Sequence, residues 1–521
     1  MGRIAPDPRR LLLAHSYYLR YDAKQLRKMR PYPPLATLIV AALARERGFD
    51  VHLFDAMLSS GVDAFEAMLG EVRPAVVGIV EDNFNFLTKM CTLRMRRAAL
   101  DMIRAAKAHG CRVAVNGADA TDHPELFLEA GADAVIVGEV EPTFLELAEA
   151  WRTDPGAALD GIAGLILPER ASAPAGVGAR NGGAGPSNSV RPALPLVPVA
   201  AANGSAAAHA AGNGHPSSAA GVRRTAPRAP LQALDALPFP AWDLVDVERY
   251  RSAWTDAHGR FSWNMVTSRG CPYKCNWCAK PLFGRRYVQR TPASVAEEMR
   301  RLRDQVAPDH IWFADDIFGL TPAWIEAFAD EVERRGARTP FMIQSRVNLM
   351  KPRTVAALRR AGAEEVWLGV ESGSQKILDA MDKGTRIEQI LTATRALRAE
   401  GVRSAWFIQL GYLGETWEDL LLTRDLIREA RPDEIGVSVS YPLPGTKFYD
   451  MVRAQLGAKR NWEHTDDLDM MFHGTYTTEF YRRIRGLLHE EVDALAAGAA
   501  SGDFDRQWAE LEAVEAEFRN R

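Results

Sequence analysis

The first third of the chain alternates short, continuously apolar runs with stretches of helical periodicity. One helical stretch opens with proline and stops at Gly48, as helices commonly do. Strands that are apolar throughout are buried on both faces, which is typical of a parallel sheet covered by helices. The pattern predicts a doubly wound, Rossmann-like α/β domain over residues 1–168. Its strands are expected at RLLLAH, FDVHLFD, AVVGIV, CRVAVN and DAVIVG, with one more at GIAGLIL.

A second α/β region is predicted over residues 231–455. Helical stretches separate its apolar runs, and in one of them Val295, Met299 and Leu302 recur on one face. Repeated β/α units indicate a partial (β/α)6 barrel of the TIM type, whose active face lies at the carboxyl ends of the strands. The six strands are expected at WNMVT, HIWFA, FMIQS, EVWLGV, SAWFIQL and IGVSVS.

The amino-acid composition changes between these two regions and again after the second one. Residues 169–230 are dominated by Ala, Gly, Pro, Ser and Asn, which cannot bury enough apolar surface to order themselves. We predict a low-complexity disordered linker there. Residues 456–521 are mostly helical in pattern and contain no recognisable motif.

Composition and charge narrow the possible partners. The chain has 521 residues, 47% of them hydrophobic and 25% charged, with a formal net charge of −3. No basic tract supports a nucleic-acid partner. No secretory signal and no run of about 20 apolar residues that could span a bilayer is visible. We expect a cytoplasmic protein without a membrane partner.

Three of the five cysteines, Cys271, Cys275 and Cys278, lie directly after the first predicted barrel strand. In a reducing compartment such thiols are metal ligands rather than disulfide partners. A structural zinc ion takes four ligands, and only three are local here. Iron–sulfur clusters are held by Cys thiolates, and three thiolates on four irons leave one iron open to a small ligand. The spacing therefore favours a [4Fe–4S] cluster with an open iron.

The Cys-x3-Cys-x2-Cys pattern, with Trp277 before the third cysteine, resembles the signature of the radical S-adenosylmethionine (SAM) superfamily. The resemblance extends through the whole barrel region. It implies that SAM binds the open iron, and that an electron cleaves SAM to a radical that abstracts hydrogen from a small-molecule substrate. A low-potential electron donor such as flavodoxin or ferredoxin is then expected as a partner.

The same resemblance implies SAM contacts at the ends of later strands. An acidic pair would lie near the methionine amino group, an arginine near the carboxylate and a Glu–Ser segment near the ribose. Plainer interpretations are turns and helix caps, in which Asp and Ser are common. In LGYLGETWEDL, Leu413 stands where the family usually has proline. The implied contacts are Trp277, Asp315, Asp316, Arg346, Glu371, Ser372 and Glu415.

The first domain is similar to the cobalamin-binding domain that often precedes such barrels. The similarity lies in YPPLATLIVAALARERGFDVHLFDA, in GADAVIVGEVEPTFLEL and in the join LDALPFPAWDL. Many such domains carry Asp-x-His-x-x-Gly after the second strand, where the histidine binds cobalt. Here Asp55 is followed by Met57 and Ser60 in place of histidine and glycine. Methionine at this place is more often a packing residue than a ligand, so we expect cobalamin bound without a histidine from the protein.

Polar loops follow the third and fourth strands of this domain. Asn side chains can pair with the amide rim of a corrinoid, and Phe can pack on its face. The alternative for the second loop is a helix start capped by Thr121 or Asp122. The predicted cobalamin contacts are Asp55, Met57, Glu81, Asn83, Asn85, Asn116, Gly117, Asp119, Thr121, Gly138 and Glu139.

The resemblance therefore implies a cobalamin-dependent radical SAM enzyme that methylates an unactivated carbon or phosphorus centre. A radical cyclase, oxidase or rearrangement enzyme with the same cofactors would share every motif. An electron-transfer protein is a third hypothesis, disfavoured because it would need no ligand segments. Methylthiotransferases have three cysteines in their first domain, whereas this one has only Cys91 and Cys111. No catalytic residue beyond the cofactor contacts is assigned.

Overall fold

The computed structural model describes residues 7–81, 92–169, 221–278, 286–457 and 469–520. The predicted α/β class is confirmed: the strands form a seven-stranded sheet, a six-stranded sheet and a two-stranded ladder. The strands are β1 (Arg10–Ala14), β2 (Asp50–Phe54), β3 (Val76–Val80), β4 (Arg112–Asn116), β5 (Ala134–Ile136), β6 (Leu165–Pro168), β7 (Val222–Arg224), β8 (Ser262–Met265), β9 (Ser268–Arg269), β10 (Val288–Gln289), β11 (His310–Phe313), β12 (Phe341–Ser345), β13 (Ala363–Glu371), β14 (Arg403–Leu410) and β15 (Glu434–Val439).

Helices lie between most successive strands and continue after the last one. They are α1 (Ala23–Lys28), α2 (Leu35–Glu46), α3 (Val62–Val72), α4 (Thr92–Ala108), α5 (Ala118–Asp122), α6 (Pro124–Glu129), α7 (Val140–Thr153), α8 (Val247–His258), α9 (Pro292–Gln305), α10 (Pro322–Arg334), α11 (Pro352–Ala361), α12 (Gln375–Ala380), α13 (Ile387–Ala399), α14 (Trp417–Ala430), α15 (Lys447–Val452), α16 (Thr478–Ala496) and α17 (Asp505–Val514). None of the helices in the described ranges is both long and apolar enough to cross a membrane.

The first sheet has the order β2-β1-β3-β4-β5-β6-β7. Strands β1 to β5 are parallel, as predicted, but β6 and β7 are antiparallel, so the sheet is mixed. Residues 154–164 return the chain from α7 to the carboxyl end of β5, where Val137 N donates to Gly164 O at 2.8 Å. Strand β6 therefore starts where β5 ends and runs back along it.

Strand β7 comes from the segment that the sequence assigned to a disordered linker. Residues 222–224 pair with β6, and Leu165 N donates to Thr225 Oγ1 at 2.9 Å. An open sheet edge can order even a short polar segment, because it offers unpaired backbone groups. The end of the predicted linker is therefore part of the fold, while residues 170–220 lie outside the described ranges.

The second sheet has the order β15-β14-β13-β12-β11-β8 and is parallel throughout, as the barrel prediction requires. The stripe of Val295, Met299 and Leu302 on α9 is fully buried. Helices α16 and α17 pack beside the barrel, where Trp417 Nε1 donates to Glu512 Oε1 at 3.2 Å. This arrangement is the predicted partial barrel with a helical C-terminal region.

Helix α8 joins the two sheets. Trp254 Nε1 donates to Pro31 O at 2.7 Å, and Asn264 Nδ2 at the start of the barrel donates to Pro33 O at 3.0 Å. One hydrophobic cluster contains residues of both domains, among them Leu35 and Trp263. The first domain and the barrel therefore share a packed interface.

Candidate active site

The three clustered cysteines lie in an excursion between β9 and β10. Backbone pairing of Arg269 with Val288 closes the base of this excursion. Gly270 has φ +79°, in the left-handed region that favours glycine, where the chain turns into the loop. All three thiols are half-buried, and residues 279–285 of the loop lie outside the described ranges. The cluster loop, as we call residues 270–287, follows the first barrel strand as predicted.

The donor chemistry of this loop suits a cluster better than a single ion. Across the described ranges, no three His, Cys, Asp or Glu side chains converge so that they could hold one metal ion. Cluster thiolates each bind a different iron and can stand further apart. The three cysteines therefore fit the predicted [4Fe–4S] group.

Arg346, from the end of β12, reaches the cluster loop. Its Nη1 donates to Cys275 Sγ at 3.4 Å, and its guanidinium carbon lies 3.8 Å from the centre of the Tyr273 ring. Nη2 donates to the carbonyl of Lys383, and Nε donates to Asn348 Oδ1 at 3.2 Å. The arginine is buried and held on several sides. It lies beside a predicted cluster ligand, and its contact with the SAM carboxylate stays a prediction.

Glu371, at the end of β13, forms a buried ion pair that the sequence did not reveal. Lys383 Nζ lies 2.6 Å from Glu371 Oε1, with side-chain exposures of 5% and 6%. Glu371 has φ +69°, a strained conformation for a residue with a side chain. A Cβ at Gly369 would stand 2.7 Å from Lys383 Nζ and 2.9 Å from Glu371 Oε1, so the ion pair packs directly against this glycine. Nothing in residue type or spacing separates this lysine from others in the sequence.

Ser372 and Glu415 are buried in hydrogen bonds within the protein. Ser372 Oγ accepts from Ser374 N at 3.1 Å and lies 3.4 Å from Thr423 Oγ1. Glu415 Oε2 accepts from Gly411 N at 2.6 Å, and burial raises the pKa of Glu415 to about 8. The contact with Thr423 ties the end of β13 to α14, and the bond to Gly411 closes the turn between β14 and α14. The cofactor roles of both residues stay predictions.

The acidic pair after β11 divides into two environments. Asp315 is buried and accepts from Thr267 N at 3.0 Å, from Thr267 Oγ1 at 2.8 Å and from Ser268 Oγ. Burial raises its pKa to about 6. Asp316 is exposed. Asp315 therefore anchors the segment that leads into the cluster loop, and Asp316 is the one that faces outward.

At the carboxyl edge of the first sheet, Glu81 is held by the loop after β1. Its Oε1 accepts from Ser16 N at 3.0 Å and from Ser16 Oγ at 2.6 Å. Burial raises the pKa of Glu81, although these hydrogen bonds oppose the shift. A Cβ at Gly117 would stand 2.8 Å from Glu81 Cγ, so the β4 loop must carry glycine there. Glu81 and Gly117 are neighbours, as their positions after adjacent strands suggest.

The remaining polar residues of this edge also make internal hydrogen bonds. Asn116 Nδ2 donates to Ile136 O at 3.0 Å and to Gly138 O at 3.3 Å. Asp119 accepts from Arg96 Nε at 2.7 Å and from Arg96 Nη2 at 2.5 Å. Thr121 Oγ1 donates to Gly117 O at 2.8 Å. The predicted contacts Asn83 and Asn85 lie outside the described ranges.

The position that carries histidine in many cobalamin domains is enclosed here. Met57 is 1% exposed and belongs to the hydrophobic cluster that both domains share. Asp55 Oδ1 lies 3.0 Å from His15 Nε2 and accepts from Met57 N at 3.0 Å. Asp55 Oδ2 accepts from the Tyr250 hydroxyl of α8 at 2.7 Å. These contacts agree with packing as the role of Met57.

Glu139, after β5, pairs with a residue of the barrel domain. Arg269 Nη1 donates to Glu139 Oε1 at 2.9 Å, and Arg269 Nη2 donates to Glu141 Oε1 at 2.5 Å. The sequence could not have indicated this pairing, because its partners are more than a hundred positions apart in the chain. The carboxyl end of β5 and the base of the cluster loop are therefore in direct contact.

Comparison with known protein families divides the chain as the fold does. The B12 binding domain matches residues 30–148, and the Radical SAM superfamily matches residues 265–427. The fold and the cysteine loop thus define a radical SAM protein with a corrinoid-type first domain. The chain thus combines a B12-binding domain with a radical SAM domain, as cobalamin-dependent radical SAM enzymes do. Cluster, SAM and cobalamin, the predicted cofactors, are those of these two domain families.

Similar proteins agree with this assignment. An uncharacterized methyltransferase of Pyrococcus horikoshii is 25% identical over 444 residues, which cover 84% of this chain and 82% of the relative. Anaerobic magnesium-protoporphyrin IX monomethyl ester cyclase of Rubrivivax gelatinosus is 30% identical over 233 residues, 44% of this chain and 40% of the relative.

A solved structure shares the fold over both domains. The radical SAM methyltransferase TsrM from Kitasatospora setae, with cobalamin and a [4Fe–4S] cluster bound, superposes with a TM-score of 0.64 at 19% identity. The match covers 87% of this chain and 79% of TsrM. The two proteins therefore have the same architecture.

Proposed function

We propose that this enzyme transfers a methyl group to an unactivated carbon or phosphorus centre of a small molecule. One observation carries the proposal: both the Pyrococcus methyltransferase and TsrM align with this chain over most of both domains. Alignments of this length span both domains, and the proposal needs the cofactors of both. The domain limits of residues 1–168 and 231–455 belong to the same proposal.

The residues around the cluster loop suit the binding of a cluster and SAM. We assign Cys271, Cys275 and Cys278 to the iron and Arg346 to the SAM carboxylate. A planar guanidinium can bind a carboxylate through two parallel hydrogen bonds. Its contact with Tyr273 and its bond to the Lys383 carbonyl keep that group in place before any ligand arrives. When bound, these cofactors supply a radical and a transferable methyl group.

Lys383 prepares Glu371 for a hydrogen-bonding role. The Lys383 ammonium donates to Glu371 Oε1 at 2.6 Å and so occupies that oxygen. Oε2 is then the oxygen available to a ribose hydroxyl. Trp277, whose ring centre lies 6.0 Å from Lys383 Nζ, forms another side of the same site.

In the first domain, we propose that cobalamin binds along the carboxyl edge without a protein ligand to cobalt. Parallel sheets bind ligands at this edge. The buried thioether of Met57 has no open face toward such a ligand. The partners are a small-molecule substrate and a low-potential electron donor.

A second candidate function is radical cyclisation, oxidation or rearrangement. It is favoured by the 30% identity to the Rubrivivax cyclase, which is higher than that to the Pyrococcus methyltransferase. That similarity spans less than half of either chain, however, so it carries less information about the joint use of the two domains. Methyl transfer remains the better-supported proposal.

The test is anaerobic incubation of the reconstituted enzyme with a metabolite extract and SAM labelled in its methyl group. Methyl transfer predicts a small molecule that gains label and the mass of one methylene unit. Labelled methionine and deoxyadenosine without a labelled product would favour the cyclase alternative. A preparation with all three loop cysteines changed to Ala is the matched blank, because it retains the first domain.

A further inference from the structure

A buried group of three charges, here called the interdomain triad, joins the first domain to the base of the cluster loop. It consists of Arg269, Glu139 and Glu141, whose side chains are 4%, 8% and 3% exposed. Arg269 donates from Nη1 to Glu139 Oε1 at 2.9 Å and to Glu141 Oε2 at 3.2 Å. Its Nη2 donates to Glu141 Oε1 at 2.5 Å. One guanidinium therefore holds two carboxylates of the other domain.

The triad also holds the segment that connects the two domains. Leu231 N donates to Glu139 Oε2, so both oxygens of this carboxylate have partners. Beside the triad lies a cavity of about 260 Å³, lined by Gly138, Arg286 and residues of the connecting segment. The loop after β5, the connecting segment and the cluster loop thus meet at one place.

The position of Arg269 constrains the first cysteine, because the two residues are close in the chain. Arg269 is the last residue of β9, it pairs with Val288 on the return strand, and Cys271 follows two residues later. On the other side, Glu139 and Glu141 lie at the start of α7, directly after β5. A shift of the first domain relative to the barrel would therefore pull on the root of the cluster loop.

The hydrogen bonds of the triad fix the distance and angle between the two domains, which apolar packing alone does not. Apolar contact is non-directional, so two packed surfaces can slide with little change in buried area. A guanidinium that binds two carboxylates fixes distance and angle. Removing one partner leaves a buried charge uncompensated, which is strongly unfavourable. The triad thus opposes any displacement between the two sheet edges.

We propose that Arg269, Glu139 and Glu141 are positioning residues that set the cluster loop against the corrinoid domain. Glu139 acts through Arg269 and not by contact with the corrinoid rim. This inference concerns the alignment of two sites and does not depend on which group the enzyme transfers. Methyl transfer and the positioning role can therefore fail independently.

The test is Glu141→Gln in the full-length, cofactor-loaded protein, followed by amide hydrogen exchange. Gln keeps the shape and removes the charge. The matched control is Glu491→Gln on α16: Glu491 is equally buried, pairs with Arg428 and accepts from Trp508 Nε1 at 2.7 Å. We expect exchange to rise about tenfold in peptides covering residues 266–278 and 137–145 for Glu141→Gln only, because a buried charge pair is broken there.

A spectroscopic measurement separates positioning from general loss of stability. Glu141→Gln should retain iron and corrinoid, while SAM addition produces an altered paramagnetic spectrum of the reduced cluster. Arg269→Lys should behave in the same way, because an ammonium keeps the charge but loses the two-pronged geometry. If Glu141→Gln does not fold, Glu139→Gln, which removes a single Arg269 hydrogen bond, takes its place.

Two results would overturn the proposal. Equal exchange and equal spectra for Glu141→Gln and the Glu491→Gln control would mean that the triad only contributes stability. Loss of corrinoid from Glu139→Gln with unchanged exchange at residues 266–278 would mean that Glu139 serves the corrinoid directly.

Discussion

The carboxyl edges of the two sheets use their polar residues differently. At the barrel edge, Arg346 and Lys383 come from separate strands and loops and meet near the cluster loop. At the edge of the first sheet, Asp119 and Asn116 form hydrogen bonds with neighbours in the same domain. Charged groups that converge on one loop can bind and orient a charged ligand there. Of the side chains at this edge, Asp55 and Glu139 bond to residues of the other domain, Tyr250 and Arg269.

The sequence motif of the barrel is short and specific, whereas that of the first domain is spread out and variable. The chemistry of the two cofactors explains this difference. Cluster ligands must be thiolates, so their residue type is constrained. A corrinoid rim can pair with backbone groups and several side chains alike, so the residue types there are less constrained.

The largest expected effect tests the barrel edge. Changing Cys271, Cys275 and Cys278 to Ala together should abolish cluster iron and deoxyadenosine formation, because no other described thiol lies in that loop. Corrinoid content should not change, since the first domain is untouched. Iron analysis and corrinoid absorbance measure both.

The control for that experiment is Cys111→Ala, which removes a buried thiol that donates to Pro74 O at 3.2 Å in the first domain. It should keep full iron content. If the triple variant lost both iron and corrinoid, cofactor binding at the two sheet edges would not be independent.

The next effect concerns the buried ion pair beside the cluster loop. Lys383→Met leaves the Glu371 carboxylate without its partner and should cost roughly 3–5 kcal/mol of unfolding free energy. SAM binding, measured by equilibrium dialysis, should weaken by at least about tenfold, since Glu371 loses its orientation. Adding Glu371→Gln should restore part of the stability, because no buried charge then remains.

The matched control is Lys376→Met, whose ammonium lies 2.5 Å from Asp419 but is 56% exposed. Asp419 is buried, but water solvates the Lys376 ammonium, so we expect this pair to contribute only about 0–1 kcal/mol. Equal losses in the Lys383 and Lys376 variants would refute a special role for the buried pair.

A pH-dependent effect is expected from Glu415. Burial raises its pKa from 4.5 to about 8, so the folded protein favours the protonated form. This stabilisation is complete below pH 4.5 and disappears as the pH rises to about 8, with an upper bound of roughly 5 kcal/mol. Glu415→Gln has no proton to lose and should unfold at higher denaturant concentration than the wild type at alkaline pH.

The control variant is Glu418→Gln, three positions further along the chain. Glu418 is fully exposed, and a hydrogen bond with its own backbone lowers its pKa. Glu418→Gln should lose stability at alkaline pH to the same extent as the wild type, because Glu415 is still present in it. Loss of SAM affinity in Glu415→Gln, with no change in its pH profile, would instead support the predicted cofactor contact.

The smallest effect is expected at Met57. Met57→Leu conserves volume and should cost less than about 1.5 kcal/mol. Corrinoid retention and the paramagnetic spectrum of bound cobalamin should match those of the wild type, without nitrogen hyperfine coupling from a protein ligand. A change in the cobalt spectrum would show that the thioether reaches the metal.

Much of the fold follows from local patterns in the sequence. All six barrel strands and the first six strands of the chain coincide with apolar runs, because continuous apolar character is what burial on both faces demands. The direction of β6 and the pairing of β7 do not follow from such patterns. They depend on where residues 154–164 lead the chain and on an open sheet edge.

The sequence by itself determined the chemistry of the cluster loop. Thiolates at this spacing have few uses, and they stand together in the chain before any folding occurs. The resemblance of those residues, and of the first domain, to known families implied SAM and cobalamin as cofactors.

Only the tertiary structure decided how charged residues pair around the site. Lys383 reaches Glu371 across α12, and Arg269 reaches Glu141 from another domain. Ion pairs depend on distance in space, and a single arginine or lysine looks the same in the sequence whether it is exposed or buried. Burial turns these charges into fixed contacts, because a charge removed from water is tolerated only beside its partner.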